Sequence, residues 1–231
     1  MTVTPIALYR AAAVAAAAAG VIFIGIQIGH PHSDVDAVTT TGWAVRNWLK
    51  VLMAGLALVG ITGMYLRQVK QMGLLGLVGY VVFATGYLAI MCVTFVGGFV
   101  FPSIAASDPG YVNDVLAAAT GGNAVSDIGH IKVALGVSGA TFLGGGVLFG
   151  LALYRARVLA RWAAALLGAA SVFTVSLAVL PDAFFRLLAV PNGVALIGLG
   201  CSLWAATATA TEPAAARATL PSGLSVGAGT T

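Results

Sequence analysis

Two ionisable side chains, Asp127 and His130, lie three residues apart at the start of a long uncharged segment. In a helix, residues at i and i+3 share a face, so these two groups are placed to exchange a proton. An ionisable residue at membrane depth is a functional candidate by default. The alternative is structural, because Ser126 or Asp127 would cap the helix that follows and favour its dipole. The sequence leaves both interpretations open.

Asp34 and Asp182 are the other candidate acids, because each lies in a polar segment beside an apolar one. If the second and fourth predicted helices pack together, Asp127 is placed to form an ion pair with Arg46 or Lys50, which would have a structural role. The polar and aromatic residues predicted to bind a ligand near these acids are Gln27, Trp43, Arg46, Asn47, Lys50, Tyr87, Met91, Phe95, Phe173 and Asn192. For the aromatic stripe from Tyr80 to Phe95, helix packing is favoured over ligand contact. The remaining aspartates, Asp36, Asp108 and Asp114, are expected to be solvated loop residues.

A metal site is the weaker prediction. His30, His32 and His130, together with the aspartates, are sufficient in number to bind zinc. However, the chain has no HExxH motif, no paired cysteines, no phosphate-binding glycine loop and no dinucleotide fingerprint. The prediction is therefore no metal and no cofactor, with a metal-dependent membrane hydrolase as an alternative.

The composition assigns the broad class. The chain of 231 residues is 60% hydrophobic and only 8% charged, whereas about a quarter of a soluble domain is charged. This indicates a polytopic membrane protein. The basic residues are too few and too scattered for a nucleic-acid surface. Cys92 and Cys201 fall in apolar runs and are predicted to be buried small residues without a disulfide.

The hydropathy pattern predicts an all-α bundle of about six transmembrane helices within residues 1–207, followed by a disordered tail over 208–231. The predicted helices are Ile6–Ile28, Gly42–Gln68, Gly73–Phe101, Ser126–Arg157, Trp162–Leu180 and Leu187–Ala206. The fourth contains 22 uncharged residues, which span ~33 Å. Its Gly146 and Gly150 have the GxxxG spacing that lets helices approach closely. A short interfacial helix is predicted at VNDVLAAAT.

The charges are distributed unequally between the two ends of these helices. The end that holds the N-terminus carries seven basic residues and one acid, Glu212. The opposite end carries four basic residues, six aspartates and all three histidines. The positive-inside rule then places both termini in the cytoplasm and the mixed end outside.

Two segments of the second half, RARVLARWAAALL (155–167) and AVPNGVAL (189–196), resemble parts of a family of small six-helix bacterial membrane proteins. Some of those proteins resemble the bacterial membrane-bound terpene cyclases of indole sesquiterpenoid pathways, which fold farnesylated indoles into rings. The resemblance implies a multi-pass protein of the bacterial plasma membrane with an isoprenoid-cyclising activity. It consists of a loop motif and a helix start, so it carries over no catalytic residue.

The leading hypothesis is therefore a membrane terpene cyclase with a lipophilic substrate, a surrounding bilayer and no nucleic acid as partners. Cyclisation started by protonation requires an acid kept neutral by burial, aromatic faces that stabilise cations, and a dry cavity. Asp127 is the favoured acid, and His130 would orient it or accept the final proton.

Three alternatives make different structural predictions. A non-enzymatic assembly or partner protein would have its outer polar groups paired off with one another and no cavity. A metal-dependent hydrolase would bring His30 or His32 close to His130. A small-solute carrier would have polar residues that continue into the inner half of the bundle.

Overall fold

The structure is a computed structural model that describes residues 4–29, 34–176 and 182–208, with the backbone alone at 174–176 and 182–188. All regular structure in these residues is helical, which confirms the all-α prediction. The predicted tail from 209 onward lies outside the described residues. The helices are α1 (Pro5–Gly25), α2 (Val35–Val38), α3 (Thr41–Arg67), α4 (Val69–Phe99), α5 (Phe101–Ala105), α6 (Pro109–Ala119), α7 (Ile131–Ala156), α8 (Arg161–Ser176) and α9 (Asp182–Ala208).

Five helices in the described residues are long and apolar enough to cross a bilayer: α1, α3, α4, α7 and the Ala189–Ala208 part of α9. The predicted sixth span corresponds to α8, which has 16 residues and is only ~24 Å long. Its predicted continuation to Leu180 enters residues 177–181, which are outside the described part. Five such helices indicate an integral membrane protein.

The six long helices pack as a closed ring. Each packs mainly against two neighbours, in the order α1, α3, α4, α7, α8, α9 and back to α1, and α3 also contacts α9. Helices α1 and α3 run antiparallel, since Gly60 and Gly63 of α3 lie against Ala16 and Ala12 of α1. Helices α4 and α7 are also antiparallel, since Gly79 and Gly86 lie against Phe149 and Phe142. One end of the ring carries the predicted basic residues of α1, α3, α7 and α8, and we call it the basic end. The opposite end, covered by the short helices, is the capped end.

Small residues allow the ring to close. A side chain on Gly86 of α4 would place its Cβ 2.6 Å from Phe142 Cα of α7, and one on Gly145 of α7 would collide with the backbone of Phe83. Gly146 and Gly150 lie in the same way against Ser171 and Gly168 of α8. This confirms the predicted GxxxG contact. Lipid chains are as apolar as the helices, so close backbone approach must supply the van der Waals contact that holds them together.

Local backbone geometry moves two predicted helix boundaries and agrees with a third. The helix predicted from Ser126 begins at Ile131, because Gly129 has φ +63°, outside the right-handed helical region. The first helix ends at Gly25, before the predicted Ile28. Gly73, the predicted start of the third helix, has φ +56° and interrupts α4 near its beginning. The main span of α4 therefore follows Gly73, as predicted.

A cap covers one end of the ring. It consists of α2, α5, α6 and residues 120–130, packed around its own hydrophobic cluster. Val112, Val115 and Leu116 of α6 are buried in that cluster together with Ile128. The predicted short helix is thus present as α6, and its apolar face at i, i+3 and i+4 packs against the end of the bundle.

The two cysteines lie on the outside of the ring. Cys92 of α4 and Cys201 of α9 are both free and exposed. The prediction that they are buried small residues is therefore wrong, because their helices turn these positions away from the ring contacts. A free thiol is small and apolar enough to be compatible with a lipid-facing position.

Replacement of Gly145 with alanine tests the close contact between α4 and α7. The new methyl group would meet the backbone of Phe83, and overpacking of this kind costs ~1–3 kcal/mol. Thermal unfolding of the purified protein in detergent should show a lower midpoint for Gly145→Ala. The matched control is Gly144→Ala, whose Cβ would meet nothing within 4 Å and whose unfolding midpoint should stay the same or rise. Equal midpoints for the two variants would contradict the contact.

Candidate functional site

Asp127 and His130 lie in the loop that precedes α7, and both are exposed. The carboxylate Oδ1 of Asp127 accepts a hydrogen bond from Gly129 N at 2.9 Å, which forms a local turn. The expected shared helical face is wrong, because the helix starts after both residues. The expected helix cap is also wrong, since His130 occupies the N-cap position and no side chain caps α7. The catalytic role of the two residues stays a prediction.

Two other aspartates at the capped end, unlike Asp127, cap the start of a helix. Asp34 is exposed and accepts a hydrogen bond from Ala37 N at 2.8 Å, which caps α2. Asp108 caps α6 in the same way through Tyr111 N at 3.0 Å. Asp182 is the first residue of α9, but its side chain lies outside the described residues. Asp108 is therefore solvated, as expected. Asp34 is exposed as well, and both residues cap the start of a helix.

Arg46 closes the end of α1. Its Nη1 donates to the carbonyls of Ile26 and Ile28, each at 3.0 Å, and its Nη2 donates to Gly29 O at 2.7 Å. These carbonyls belong to the C-cap and the turn that follow α1, and a cation near the C-terminus of a helix also favours its dipole. The half-buried Gln27 lies in this turn, outside the helix in which it was predicted. The hydrogen bonds of Arg46 therefore go to the backbone, and none to Asp127.

Trp43 and Asn47 join α3 to α4. The indole Nε1 of Trp43 donates to Gly97 O at 2.8 Å, and Asn47 donates to Trp43 O at 3.0 Å. Both side chains are buried, and Gly98 packs directly against Asn47. Both residues therefore lie on the face of α3 that meets α4. Lys50, about one turn further along α3, is half-buried.

The predicted aromatic residues separate into two groups. Tyr87 is only 1% exposed and lies inside the ring, 4.9 Å from the ring of Phe83 and 5.3 Å from that of Phe142. Phe142 in turn meets Phe23 of α1 at 6.4 Å, across the ring. We call Phe23, Phe83, Tyr87 and Phe142 the aromatic cluster.

The other predicted ligand contacts do not join the aromatic cluster as one stripe. Phe95 of α4 and Phe173 of α8 are exposed on the outside of the bundle. Met91 is half-buried against the core, and Asn192 of α9 is buried. The structure therefore divides the predicted binding residues between the interior, the capped end and the outer surface.

Asp114 of α6 is the acid that sequence reasoning missed. Its Oδ1 accepts a hydrogen bond from Val125 N at 2.9 Å, and its Oδ2 accepts one from Ser126 N at 2.8 Å. The residue is buried, contrary to its expected place in solvent. The backbone N–H of Val125, followed by that of Ser126, holds the pKa of Asp114 below its ordinary value. The sequence feature that could have identified Asp114 is its position beside the apolar face of a short predicted helix.

Within the described residues, no three His, Cys, Asp or Glu side chains form a group that could bind a metal ion. His30 and His32, on which the hydrolase alternative depends, lie outside those residues. Their distance from His130 is therefore untested, and the hydrolase stays an alternative.

No family model, curated protein or solved structure matches this chain. The resemblance of residues 155–167 and 189–196 to bacterial membrane proteins therefore stays a prediction. The fold itself defines an all-helical protein with apolar helices long enough to cross a membrane.

The carboxylate of Asp114 predicts a pH-dependent stability of the cap. Because its folded pKa is lowered, its stabilisation is complete above the ordinary aspartate pKa of about 3.9. That stabilisation is lost as the pH falls through the folded value. Asp114→Asn keeps one acceptor but turns an amide donor toward a backbone N–H. At neutral pH the variant should therefore unfold at a lower temperature than wild type.

Below about pH 4, the difference in unfolding temperature between wild type and Asp114→Asn should shrink. Tryptophan fluorescence during heating is a suitable measurement, because Trp43 belongs to the cap cluster. The control is Asp36→Asn, which changes an exposed acid of the same cap and should unfold like wild type. A difference that is unchanged at low pH would contradict the role of the Asp114 charge.

Proposed function

We propose that this chain is a multi-pass membrane protein whose cap binds a partner protein through residues 120–130. The observation that carries this proposal is the double hydrogen bond from Val125 N and Ser126 N to Asp114. A buried carboxylate is used to hold one peptide segment in place, while the Val125 side chain on that segment is 95% exposed.

A loop that is already ordered loses little conformational entropy when it binds, which favours affinity. Binding residues are commonly carried on loops that a rigid scaffold positions. Here the scaffold is the cap cluster, in which Ile128 is buried while its neighbours Asp127 and His130 are exposed. The loop therefore presents one apolar and two ionisable side chains from a fixed backbone.

The other polar groups at the capped end also favour binding over catalysis. Asp34, Asp108 and Asp127 each accept a hydrogen bond from a nearby backbone N–H, and Arg46 donates to backbone carbonyls. These groups are thus engaged by the backbone, whereas the partner-protein alternative predicted that they would pair with one another. The cyclase hypothesis requires a catalytic acid that is buried in a dry cavity, and both Asp34 and Asp127 are exposed.

The orientation and the span count belong to the same proposal. With α8 counted as a short sixth span, both termini lie on one side of the membrane. The basic end carries Arg67, Lys70, Arg155, Arg157 and Arg161, so the positive-inside rule places it in the cytoplasm and the cap outside. A bacterial plasma membrane is the proposed location.

A second candidate function is the cyclisation of a lipophilic isoprenoid inside the ring. The aromatic cluster favours it, because aromatic faces stabilise migrating cations. Membranes that contain the wild-type protein should then convert a farnesylated indole into a cyclised product, detected by mass spectrometry. Unchanged cyclisation by Asp127→Asn would remove that residue as the acid, and the absence of product with wild type would count against this function.

Photo-crosslinking in living cells tests the binding function. A photoreactive amino acid in place of Val125 should give a defined adduct with one protein after irradiation. Because Asp114 holds the loop, adding Asp114→Asn to the same protein should weaken that adduct.

The matched position is Leu74 of α4, which is 75% exposed near the basic end. The photoreactive group in place of Leu74 should not give the same adduct. The binding function is wrong if position 125 yields no protein adduct, or if positions 125 and 74 yield the same one.

A further inference from the structure

A groove runs along the outside of α1 at the basic end of the ring. It has a volume of about 430 Å³ and is lined by Val14, Ala15 and Ala18 of α1, Leu56 of α3 and Trp204 of α9, with Arg10 at one end. The eight helical steps from Arg10 to Ala18 correspond to ~12 Å along the helix. Small side chains on α1 lie between the larger side chains of α3 and α9, so the groove follows the helix axis.

Arg10 is held in place by two residues of α9. Its Nε donates to Thr207 Oγ1 at 3.3 Å, and the hydroxyl of Thr207 donates to Trp204 O at 2.6 Å. The guanidinium carbon lies 5.2 Å from the centre of the Trp204 ring, which is within cation–π range. The guanidinium is therefore oriented before any ligand arrives.

The half-buried charge of Arg10 is favourably placed for a counter-ion. A guanidinium does not lose its proton in a protein, and a charge beside an apolar wall is costly unless it is paired. Among the described residues, no carboxylate forms an ion pair with Arg10, and its two terminal nitrogens donate to no acceptor. Those two nitrogens form the fork that binds two oxygens of a phosphate.

We propose that this groove binds an anionic phospholipid, with its phosphate on Arg10 and one acyl chain along Ala15, Ala18 and Leu56. The arrangement matches a phospholipid, because the cation lies toward the end of the helix and the apolar part of the groove lies toward the middle of the span. Basic pockets between transmembrane helices commonly bind anionic headgroups. A soluble anion would leave the apolar wall uncovered, so the site needs both parts of one lipid.

Lipid retention during native mass spectrometry tests this site. Purified full-length protein is mixed with phosphatidylglycerol or with phosphatidylcholine of the same acyl chains, and the bound lipids are counted. Wild type should retain phosphatidylglycerol more strongly, and inorganic phosphate should not displace it. Arg10→Gln should bind phosphatidylglycerol about tenfold more weakly, as expected for the loss of a charge-assisted pair. Arg10→Lys keeps the charge but loses the fork, and its binding should be intermediate.

Two further variants separate the lipid site from general charge and from folding. Arg161 also stacks on an aromatic ring, that of Tyr154 at 4.1 Å, and the groove does not include it. Arg161→Gln should therefore bind phosphatidylglycerol like wild type. Ala18→Leu narrows the groove without touching Arg10 and should weaken the binding of both lipids.

All samples are first shown to be monodisperse by size-exclusion chromatography. Equal retention of the two lipids by wild type, equal losses in Arg10→Gln and Arg161→Gln, or undiminished binding by Ala18→Leu would each overturn the proposal.

Discussion

The contact between α4 and α7 depends on glycines that place no side chain between two helix backbones. Gly79 and Gly86 of α4 lie directly against the backbone of α7, and Gly145 of α7 lies against α4. In a bilayer, the burial of apolar surface gives little net gain, because lipid and side chain are equally apolar. Dispersion contacts fall off steeply with distance, so helices gain them only by coming close. The contacts of α1 with α3 and with α9, and of α7 with α8, use small residues in the same way.

The capped end is stabilised by a different interaction, because its helices are too short to cross a membrane. Val112, Val115 and Leu116 form the apolar face of α6, and their burial is favoured where water surrounds the cap. Here the aspartates stabilise backbone N–H groups at helix starts and turns. The same chain thus combines packing of small residues along its spans with an ordinary hydrophobic cluster at one end.

This difference bears on function. The ionisable residues concentrate at the capped end, where most of those described form hydrogen bonds with nearby backbone groups. Asp114 differs from the others because it binds two backbone N–H groups of another segment, those of Val125 and Ser126. The Val125 side chain remains in solvent. Such an arrangement supports recognition by a surface loop. The interior carries a different feature, the aromatic cluster around Tyr87, which supports an apolar ligand if the ring opens to one. The two features are independent, so the two proposed functions are distinguishable.

The sequence by itself determined the helical class, the approximate spans and the division of charge between the two ends, because these depend on residue composition along one helix at a time. It also predicted the close approach at Gly146 and Gly150. Glycine has no side chain, so it allows a close approach whichever helix packs against it. Only the tertiary structure decided what the polar side chains do. Whether Asp127 faces a cavity or solvent depends on the left-handed turn at Gly129, and whether Asp114 is solvated depends on a loop eleven residues away. Contacts of this kind join separate segments of the chain, so a periodic pattern within one segment cannot predict them.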